Sequence, residues 1–387
     1  MDRGRIVIAG SLAQRPRRGG HTWVLLQYLL GFRRLGWDVL FLDRLERQMW
    51  VDSGGQSSPS NPIANLAYFE EVMERFGLAE SFASTGDDGS MRLGVPKREM
   101  IAKVKESTLI LNIMGFLKDE TILGSAPRRV FLDIDPGYPQ MWKELGLHDA
   151  FVGHDDFVTV GANLGRGICE VPTSGVRWIP TRPPVVLEHW TPESDGGAGP
   201  FTSVGTWRGA YGPIEYRGRT YGARVHEFRQ FADVPRRAGG RFEFALDIHP
   251  QDIRDIELLR AGGWSLTDPR QVAGDPWAYR DFVRTSAAEF MVAKGMYVKS
   301  RSGWFSDRSA CYLASGRPVV AQDTGLKDLY PTGKGLVLFK TPDEAVAAVE
   351  EIRSDYDGHS RAARRLAEEF FDSDMVLAEL LSALGIG

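Results

Sequence analysis

The chain has 387 residues, a formal net charge of −4 and 43% hydrophobic residues. This length exceeds one ordinary hydrophobic core, and the composition excludes a wholly disordered chain. The near balance of charges excludes the basic field of a nucleic-acid-binding protein. The two cysteines match no metal or redox spacing, and no leader or bilayer-spanning apolar run is visible. We therefore expect a cytoplasmic, disulfide-free protein with no nucleic-acid partner and no membrane span.

Strand and helix patterns alternate through the first half of the chain. In chain order they predict strand Arg5–Gly10, helix Thr22–Leu35, strand Asp38–Asp43, helix Ile63–Phe76, a helix around Pro96–Lys105, and strands Thr108–Met114 and Arg129–Ile134. The first three elements form a βαβ unit, which predicts a parallel sheet with right-handed crossovers.

The pattern is interrupted between residues 172 and 200 by prolines and by the run Gly196–Pro200, which predict a linker. We expect a first domain at 1–185, a linker at 186–200, a second domain at 201–370, and a final helical segment at 371–387 that packs back on the first domain. The second half predicts strands at Phe201–Thr206, Phe242–Ile248, Glu289–Val292, Val319–Gln322 and Leu336–Phe339, and helices at Arg224–Ala232, Gln251–Ala261, Trp277–Ala287, Asp307–Ala314, Pro342–Arg353, Ser360–Phe371 and Ser373–Leu384. Two such α/β blocks place a ligand cleft at the carboxyl ends of their sheets.

The most informative segment is Ser300–Gly325. A loop of small residues leads into a helix with Ser306 at its N-cap and Asp307 in its first turn. A helix N-terminus offers free N–H groups and partial positive charge to an anion, and Arg301 and Arg308 add donors. The segment predicts a diphosphate site; the alternative is a capped helix with incidental arginines.

Within this segment Gly303–Ser306, then Gly316–Val319 and Gln322–Gly325, resemble in order and spacing the donor-binding region of GT-B nucleotide-sugar glycosyltransferases. The closest resemblance is to the family 1 enzymes of antibiotic and natural-product biosynthesis. It implies an α/β fold of two Rossmann-like parallel-sheet domains facing a cleft. The chain departs from the family at Arg301, where the family has histidine, at Phe305, where it has asparagine, and at Cys311, where a carboxylate binds ribose.

The resemblance also implies a function and its residues. A sugar would move from a dTDP- or UDP-linked donor to a small natural-product-like acceptor, without a cofactor. The implied donor-diphosphate contacts are Gly205, Thr206, His249, Arg301, Ser302, Gly303, Ser306, Asp307 and Arg308. The implied sugar contacts are Asp323, Thr324 and Gly325, with Trp264 stacked on the nucleobase. For His249 the alternative is a cap on the following helix, and for Trp264 it is core packing.

The loop Gly19–Thr22 resembles the family's Gly-His loop, which implies His21 as the general base of an inverting reaction. A backbone hydrogen bond from this histidine, with Thr22 as the helix cap, is the alternative. The resemblance implies Asp119 as the residue that orients the base, and Asn112 is an equal candidate. A dinucleotide-binding loop is disfavoured because strand one lacks the Gly-x-Gly-x-x-Gly fingerprint.

Asp133-x-Asp135 ends a predicted strand and invites a metal-binding interpretation. Alternate strand residues share a face only while the chain stays extended, so we favour Asp135 as a turn residue or acceptor contact and expect no metal. Two other functions stay open: a sugar-nucleotide epimerase of the same architecture, and a non-catalytic nucleotide-sugar-binding protein. A homodimer is compatible with the sequence.

Overall fold

The computed structural model describes residues 3–52, 54–58, 60–193, 197–209 and 211–387. The strands are β1 (Arg5–Ala9), β2 (Asp38–Leu45), β3 (Phe82–Gly86), β4 (Met91–Gly94), β5 (Leu109–Ile113), β6 (Arg129–Asp133), β7 (Asp156–Thr159), β8 (Trp178–Pro180), β9 (Phe201–Thr206), β10 (Ile214–Tyr216), β11 (Arg219–Tyr221), β12 (Phe242–Asp247), β13 (Trp264–Thr267), β14 (Ala288–Met291), β15 (Val319–Gln322) and β16 (Leu336–Phe339).

The helices are α1 (Gly19–Arg34), α2 (Ile63–Arg75), α3 (Lys97–Lys105), α4 (Glu120–Leu123), α5 (Tyr138–Glu144), α6 (Arg224–Phe228), α7 (Val234–Ala238), α8 (Ile253–Ala261), α9 (Pro269–Val272), α10 (Pro276–Thr285), α11 (Gly295–Ser300), α12 (Asp307–Ala314), α13 (Pro342–Ser354), α14 (Tyr356–Phe370) and α15 (Ser373–Ala383). In the part of the chain that the structure describes, no helix is long and apolar enough to cross a membrane.

The strands form two sheets and a hairpin. The first sheet has the order β4-β3-β2-β1-β5-β6-β7-β8, and the second has the order β13-β12-β9-β14-β15-β16. Neighbouring strands are parallel except at the β3–β4 pair, while β10 and β11 form a separate antiparallel hairpin. The strand order reverses between β1 and β5 in the first sheet and between β9 and β14 in the second. Ligands of open parallel sheets bind in the crevice beyond the carboxyl ends of the strands at such reversals.

Every strand and helix predicted in the first and second halves is present, with ends shifted by a few residues. Strands β3, β4, β7, β8 and β13 and the β10–β11 hairpin were not predicted. They are short, and β3 has the sequence Phe-Ala-Ser-Thr-Gly, whose apolar periodicity is weak although all five residues are buried. Tertiary pairing rather than local pattern makes them strands.

Helix α1 lies at the centre of the molecule and joins its two halves. It begins at Gly19, three residues before the predicted start, and Thr22 is not its cap. The Gly19 N–H bonds instead to the Ala273 carbonyl at 2.9 Å, and the Trp23 indole donates to the Pro276 carbonyl at 2.7 Å. A Cβ on Gly31 would overlap Leu377 of α15, so the last helix packs closely on α1. This burial on all sides explains why α1 is apolar nearly all round.

The predicted domain boundaries at 185/186, 200/201 and 370/371 stay predictions. The first sheet uses strands up to Pro180 and the second begins at Phe201. Residues 194–196 of the predicted linker, including Gly196, lie outside the described residues.

Candidate functional site

A basic pocket lies at the strand reversal of the second sheet. Thr206 ends β9, and Lys294 follows β14 by three residues, so both lie at the carboxyl edge. The pocket has a volume of about 280 Å³. Its lining residues include Tyr138, Thr206, Arg208, Tyr211, Arg224 and Lys294. Three cationic side chains therefore converge where the topology places a ligand, and we call this the basic pocket.

Arg224 is the cation of the basic pocket that has no acidic partner. Its guanidinium lies directly against Gly205, where an added Cβ would overlap it. Among the described residues, no carboxylate forms an ion pair with it, and its Nε is buried without a hydrogen-bond acceptor. Burial, with the nearby Arg308 charge, lowers the pKa of Arg224 to about 9, so it still carries a proton at neutral pH. A half-buried guanidinium that has no ion-pair partner among the described residues and faces a pocket is a site for an anion.

The other two cations of the basic pocket have partners. The Lys294 ammonium lies 2.8 and 2.9 Å from the two carboxylate oxygens of Asp135, which belongs to the first half of the chain. The Tyr297 hydroxyl also donates to Asp135. Arg208 is more exposed and pairs with Asp252. The predicted acceptor contact Asp135 therefore reaches the basic pocket through Lys294.

The N-terminus of α12, predicted as the diphosphate site, has other roles. Arg308 is buried in an ion pair with Glu289 and donates to the Val204 carbonyl at 2.8 Å. Arg301 is exposed, with a positive φ of 52° at the end of α11. Asp307 lines a different, apolar cavity. Because their side chains are engaged or point elsewhere, these three residues do not line the basic pocket.

The loop before α12 contacts the first half of the chain through Asn163. The Asn163 side-chain amide donates to the carbonyls of Arg301 and Gly325 at 3.1 and 2.9 Å, and its backbone N–H donates to the Ser302 carbonyl. A Cβ on Gly303 would approach Asn163 to 2.9 Å. Ser302, Gly303 and Gly325 thus take part in packing between the halves, and their ligand contacts stay predictions. Ser306 is buried at the N-cap position and its ligand role stays a prediction.

The predicted sugar-contacting turn is held by its own hydrogen bonds. Asp323 accepts the N–H groups of Gly325 and Leu326 at 2.8 and 2.9 Å and lies 3.3 Å from the Lys340 ammonium. The buried Thr324 hydroxyl donates to the Trp304 carbonyl at 2.6 Å. These contacts shape the turn after β15, and sugar binding there stays a prediction.

Trp264 and His249 have structural positions. Trp264 is 3% exposed and packs among Phe228, Phe242 and Phe290. Its ring therefore offers no face to a nucleobase, which corrects the predicted stacking role and supports the core-packing alternative. His249 is exposed and its Nδ1 accepts the Gln251 N–H at 3.2 Å, in the turn before α8, whose N-cap is Asp252 and not His249. Its contact with the diphosphate stays a prediction.

Neither candidate for orienting His21 contacts it. Asp119 is the N-cap of α4, where it accepts the N–H groups of Thr121 and Ile122. Asn112 closes the loop after β5 by exchanging hydrogen bonds with Leu117 and contacts His154. Local backbone groups occupy both side chains, which corrects the predicted pairing with His21.

His21 lies in the first turn of α1, at the carboxyl edge of the first sheet. Its Nε2 is 2.9 Å from the Ser11 carbonyl oxygen, so Nε2 carries the proton and Nδ1 holds the lone pair. Burial, together with the charges of Arg15 and Arg18, lowers its pKa to about 3. The imidazole is therefore neutral, as a base requires, but it binds a proton weakly. The backbone bond expected as the alternative is present.

We expect the His21 imidazole to stay neutral on acidification to about pH 5. The folded pKa lies below the ordinary value of about 6.5, so proton binding favours the unfolded chain. The neutral imidazole makes its full contribution to the free energy of unfolding above pH 6.5. That contribution decreases as the pH is lowered toward 3. A nitrogen-15 NMR titration of the ring measures this directly. Titration of His21 between pH 6 and 7 would contradict the buried, weakly basic state.

A second, apolar cavity lies between α1 and α12, with about 450 Å³ of empty space when the part open to solvent is included. Its apolar walls include Trp23, Val24, Tyr28, Ile134, Trp304 and Phe305. Its polar lining includes Tyr279, Asp307 and Cys311, and burial raises the pKa of Asp307. Gln27 contacts the Cys311 sulfur at 3.7 Å, so this helix face is packed on α1. We call this the apolar cavity; Ile134 places it next to Asp135.

The Asp133-x-Asp135 pair does not form a metal site. Asp133 is buried and accepts hydrogen bonds from Gln140, Thr159 and the Asp135 N–H, and burial raises its pKa to about 6. Asp135 faces Lys294 instead. No group of three or more candidate ligands for a metal ion occurs among the described residues.

Of the predicted diphosphate contacts, Gly205 and Thr206 lie at the basic pocket. Arg208, Arg224 and Lys294 were not predicted as site residues. The feature that could have indicated them is their position just after a strand: Arg208 follows β9, Arg224 follows the β10–β11 hairpin, and Lys294 follows β14. The hairpin was not predicted, so nothing in the sequence placed Arg224 against Gly205.

No protein-family model matches the chain. Phosphoribosylamine–glycine ligases from two strains of Neisseria meningitidis are 26% identical over 120 residues. That match spans 31% of this chain and 27% of the length of the ligase. It is therefore local, and it covers about a quarter of the ligase.

Solved structures match over nearly the whole chain. An alpha-glucosyltransferase in complex with UDP-glucose and DNA containing an abasic site has a TM-score of 0.61 at 13% identity, covering 99% of both chains. Anabaena HepE in complex with UDP and glucose has a TM-score of 0.58 at 12% identity, covering 98% and 100%. Sucrose-phosphate synthase from Thermosynechococcus elongatus has a TM-score of 0.53 at 12% identity, covering 98% and 99%. The chain therefore has the two-sheet GT-B fold of these glycosyltransferases, as its sequence predicted.

Proposed function

We propose that this protein is a glycosyltransferase that moves a sugar from a nucleotide-diphosphate donor to a small, largely apolar acceptor. The observation that carries the proposal is the basic pocket, where Arg224 forms no ion pair with any described residue and Lys294 is close by. A diphosphate supplies the negative charge that Arg224 lacks. The neighbours solved with UDP-glucose or with UDP and glucose make UDP-glucose the first donor to test.

The basic pocket suits the leaving group of such a reaction. As the bond between the anomeric carbon and the diphosphate breaks, negative charge grows on the diphosphate oxygens. Arg224 already faces the basic pocket and stabilises that charge as it develops, and Lys294 joins it on leaving Asp135. An inverting displacement with His21 as base stays the expectation from sequence, and the weak basicity of this imidazole counts against it.

The apolar cavity supports a small acceptor. Its aromatic and aliphatic walls fit a hydrophobic body, and its few polar groups fit a hydroxyl or another short polar function. The net charge of −4 gives no broad basic surface for duplex DNA, the molecule bound by one neighbour. We therefore propose a natural-product-like acceptor over a nucleic acid.

The test combines binding and turnover. Thermal-shift and calorimetric titrations with UDP, dTDP and GDP, each compared with its nucleoside, are expected to show selective binding of one diphosphate. Incubation of that sugar nucleotide with a panel of aromatic alcohols, and separately with duplex DNA, is expected to give glycosylated alcohol by mass spectrometry. No binding of any diphosphate would refute the proposal. Binding without transfer or hydrolysis would support the non-catalytic alternative, and interconversion of the donor sugar would support the epimerase.

A further inference from the structure

Asp135 lies at the carboxyl end of β6, in a turn that fixes its direction. Its backbone N–H donates to Asp133 Oδ1 at 3.0 Å, and Asp133 is itself held by Gln140 at 2.7 Å and Thr159 at 2.9 Å. The turn is therefore braced from within the first half of the chain. It directs the Asp135 carboxylate across the cleft to Lys294 in the second half.

Residues next to this carboxylate line each of the two cavities. The preceding residue, Ile134, lines the apolar cavity, and its ion-pair partner Lys294 lines the basic pocket. The Asp135 charge also raises the pKa values of Arg224 and Tyr138, two further residues of the basic pocket. An acceptor in one cavity and a donor diphosphate in the other would meet beside Asp135.

We infer that Asp135 is the group that takes the proton from the acceptor hydroxyl during transfer. The inference rests on the proposed function. In the ligand-free protein the Asp135 carboxylate is paired with Lys294 and Tyr297. A bound diphosphate competes for the Lys294 ammonium, which frees the carboxylate to accept a hydrogen bond from the acceptor.

The step balances as a single displacement. The acceptor O–H bond breaks and its proton goes to a carboxylate oxygen of Asp135. The acceptor oxygen forms a bond to the anomeric carbon, and the bond from that carbon to the diphosphate breaks. The electron pair of the broken bond stays on the diphosphate oxygen, beside Arg224 and Lys294. The carboxylate that activates the acceptor belongs to the first half of the chain. The cations that bind the leaving diphosphate belong to the second half, so the displacement takes place across the cleft.

Other candidate bases fit less well. The His21 Nε2 is engaged with the Ser11 carbonyl, and its imidazole is a weak base. Asp133 is buried and accepts three hydrogen bonds, so it has no access to a substrate. Asp135 is partly exposed and touches a residue of the basic pocket.

The test compares Asp135→Asn with Asp156→Asn in the full chain, using UDP-glucose as donor. Asp156 is a matched control because it is also an ion-paired aspartate of the first sheet, bound to Arg128 at 2.6 Å, but it lies at the opposite, amino end of β7. Asp135→Asn is expected to lower hydrolysis and transfer to 4-methylumbelliferone by about 10²- to 10⁴-fold, the usual contribution of a general base. UDP affinity is expected to stay within threefold or to tighten, since Lys294 is released. Asp156→Asn is expected to retain turnover.

Azide, used as the nucleophile in place of an alcohol, distinguishes a role of Asp135 in proton transfer from a purely structural role. It is already an anion and needs no base, so Asp135→Asn is expected to form glucosyl azide at a rate within tenfold of the unchanged protein. Equal loss with azide and with hydroxyl acceptors would overturn the inference, as would unchanged hydrolysis. If His21→Asn, and not Asp135→Asn, loses hydroxyl transfer selectively, the base is His21. Absence of UDP binding and turnover in the unchanged protein would refute both proposals, whereas normal turnover in Asp135→Asn refutes this one alone.

Discussion

Arg224→Gln is expected to weaken UDP binding by about 10- to 100-fold. The guanidinium has no ion-pair partner among the described residues and faces the basic pocket, so its charge is available to the diphosphate. A hydrogen bond to a charged group contributes about 1.5–3 kcal/mol, and about 1.4 kcal/mol corresponds to tenfold in affinity. Isothermal titration calorimetry with UDP measures the loss.

Arg353→Gln is the matched control for this effect. Arg353 is an exposed arginine of the second half that donates to the carbonyls of Ala238 and Gly239, and it is not among the residues that line the basic pocket. Its removal is expected to leave UDP affinity unchanged. Gly205→Ala is expected to weaken binding without removing charge, because the new Cβ would displace the Arg224 guanidinium. Equal UDP affinity in Arg224→Gln and the unchanged protein would place the diphosphate elsewhere.

Glu289→Gln is expected to reduce the free energy of unfolding by about 3–5 kcal/mol. The Glu289 side chain on β14 is fully buried and pairs with Arg308 of α12, which is itself largely buried. Removing the carboxylate charge leaves a buried guanidinium without its counter-ion, and breaking a buried pair on one side has this magnitude. Urea denaturation followed by circular dichroism measures the change, with the thermal midpoint as a second reading.

The double replacement Glu289→Met with Arg308→Met tests the cause. It removes both charges together and fills similar volume with apolar atoms, so it is expected to recover most of the lost stability. A change below about 1 kcal/mol in Glu289→Gln would mean that water reaches the pair. In that case Arg308 would be available to a ligand, as the sequence predicted.

Only part of the candidate site was predictable. Gly205 and Thr206 were placed correctly at the carboxyl edge, because the predicted strand Phe201–Thr206 is present and parallel strands present that edge to the ligand. Arg301 and Arg308 were assigned to the diphosphate from their proximity to a helix N-terminus. Sequence proximity does not reveal that Glu289, nineteen residues earlier, takes Arg308 as its buried partner.

The resemblance of the segment Ser300–Gly325 to GT-B enzymes implied the GT-B fold, and the sequence by itself determined the two-block α/β architecture. The physical reason is that period and length of the apolar runs fix strands and helices locally, and alternation of the two favours parallel sheets. Short strands such as β3 and β13 were not predicted because four or five residues with few apolar side chains give too weak a periodicity.

Only the tertiary structure decided where a ligand would bind. The basic pocket gathers Arg224, Lys294 and Thr206 from segments far apart in the chain, and Asp135 reaches it from the first half. The charge of a side chain is readable from sequence, but whether that charge is neutralised depends on which acid folds beside it. Arg308 has such an acid and Arg224 has none among the described residues.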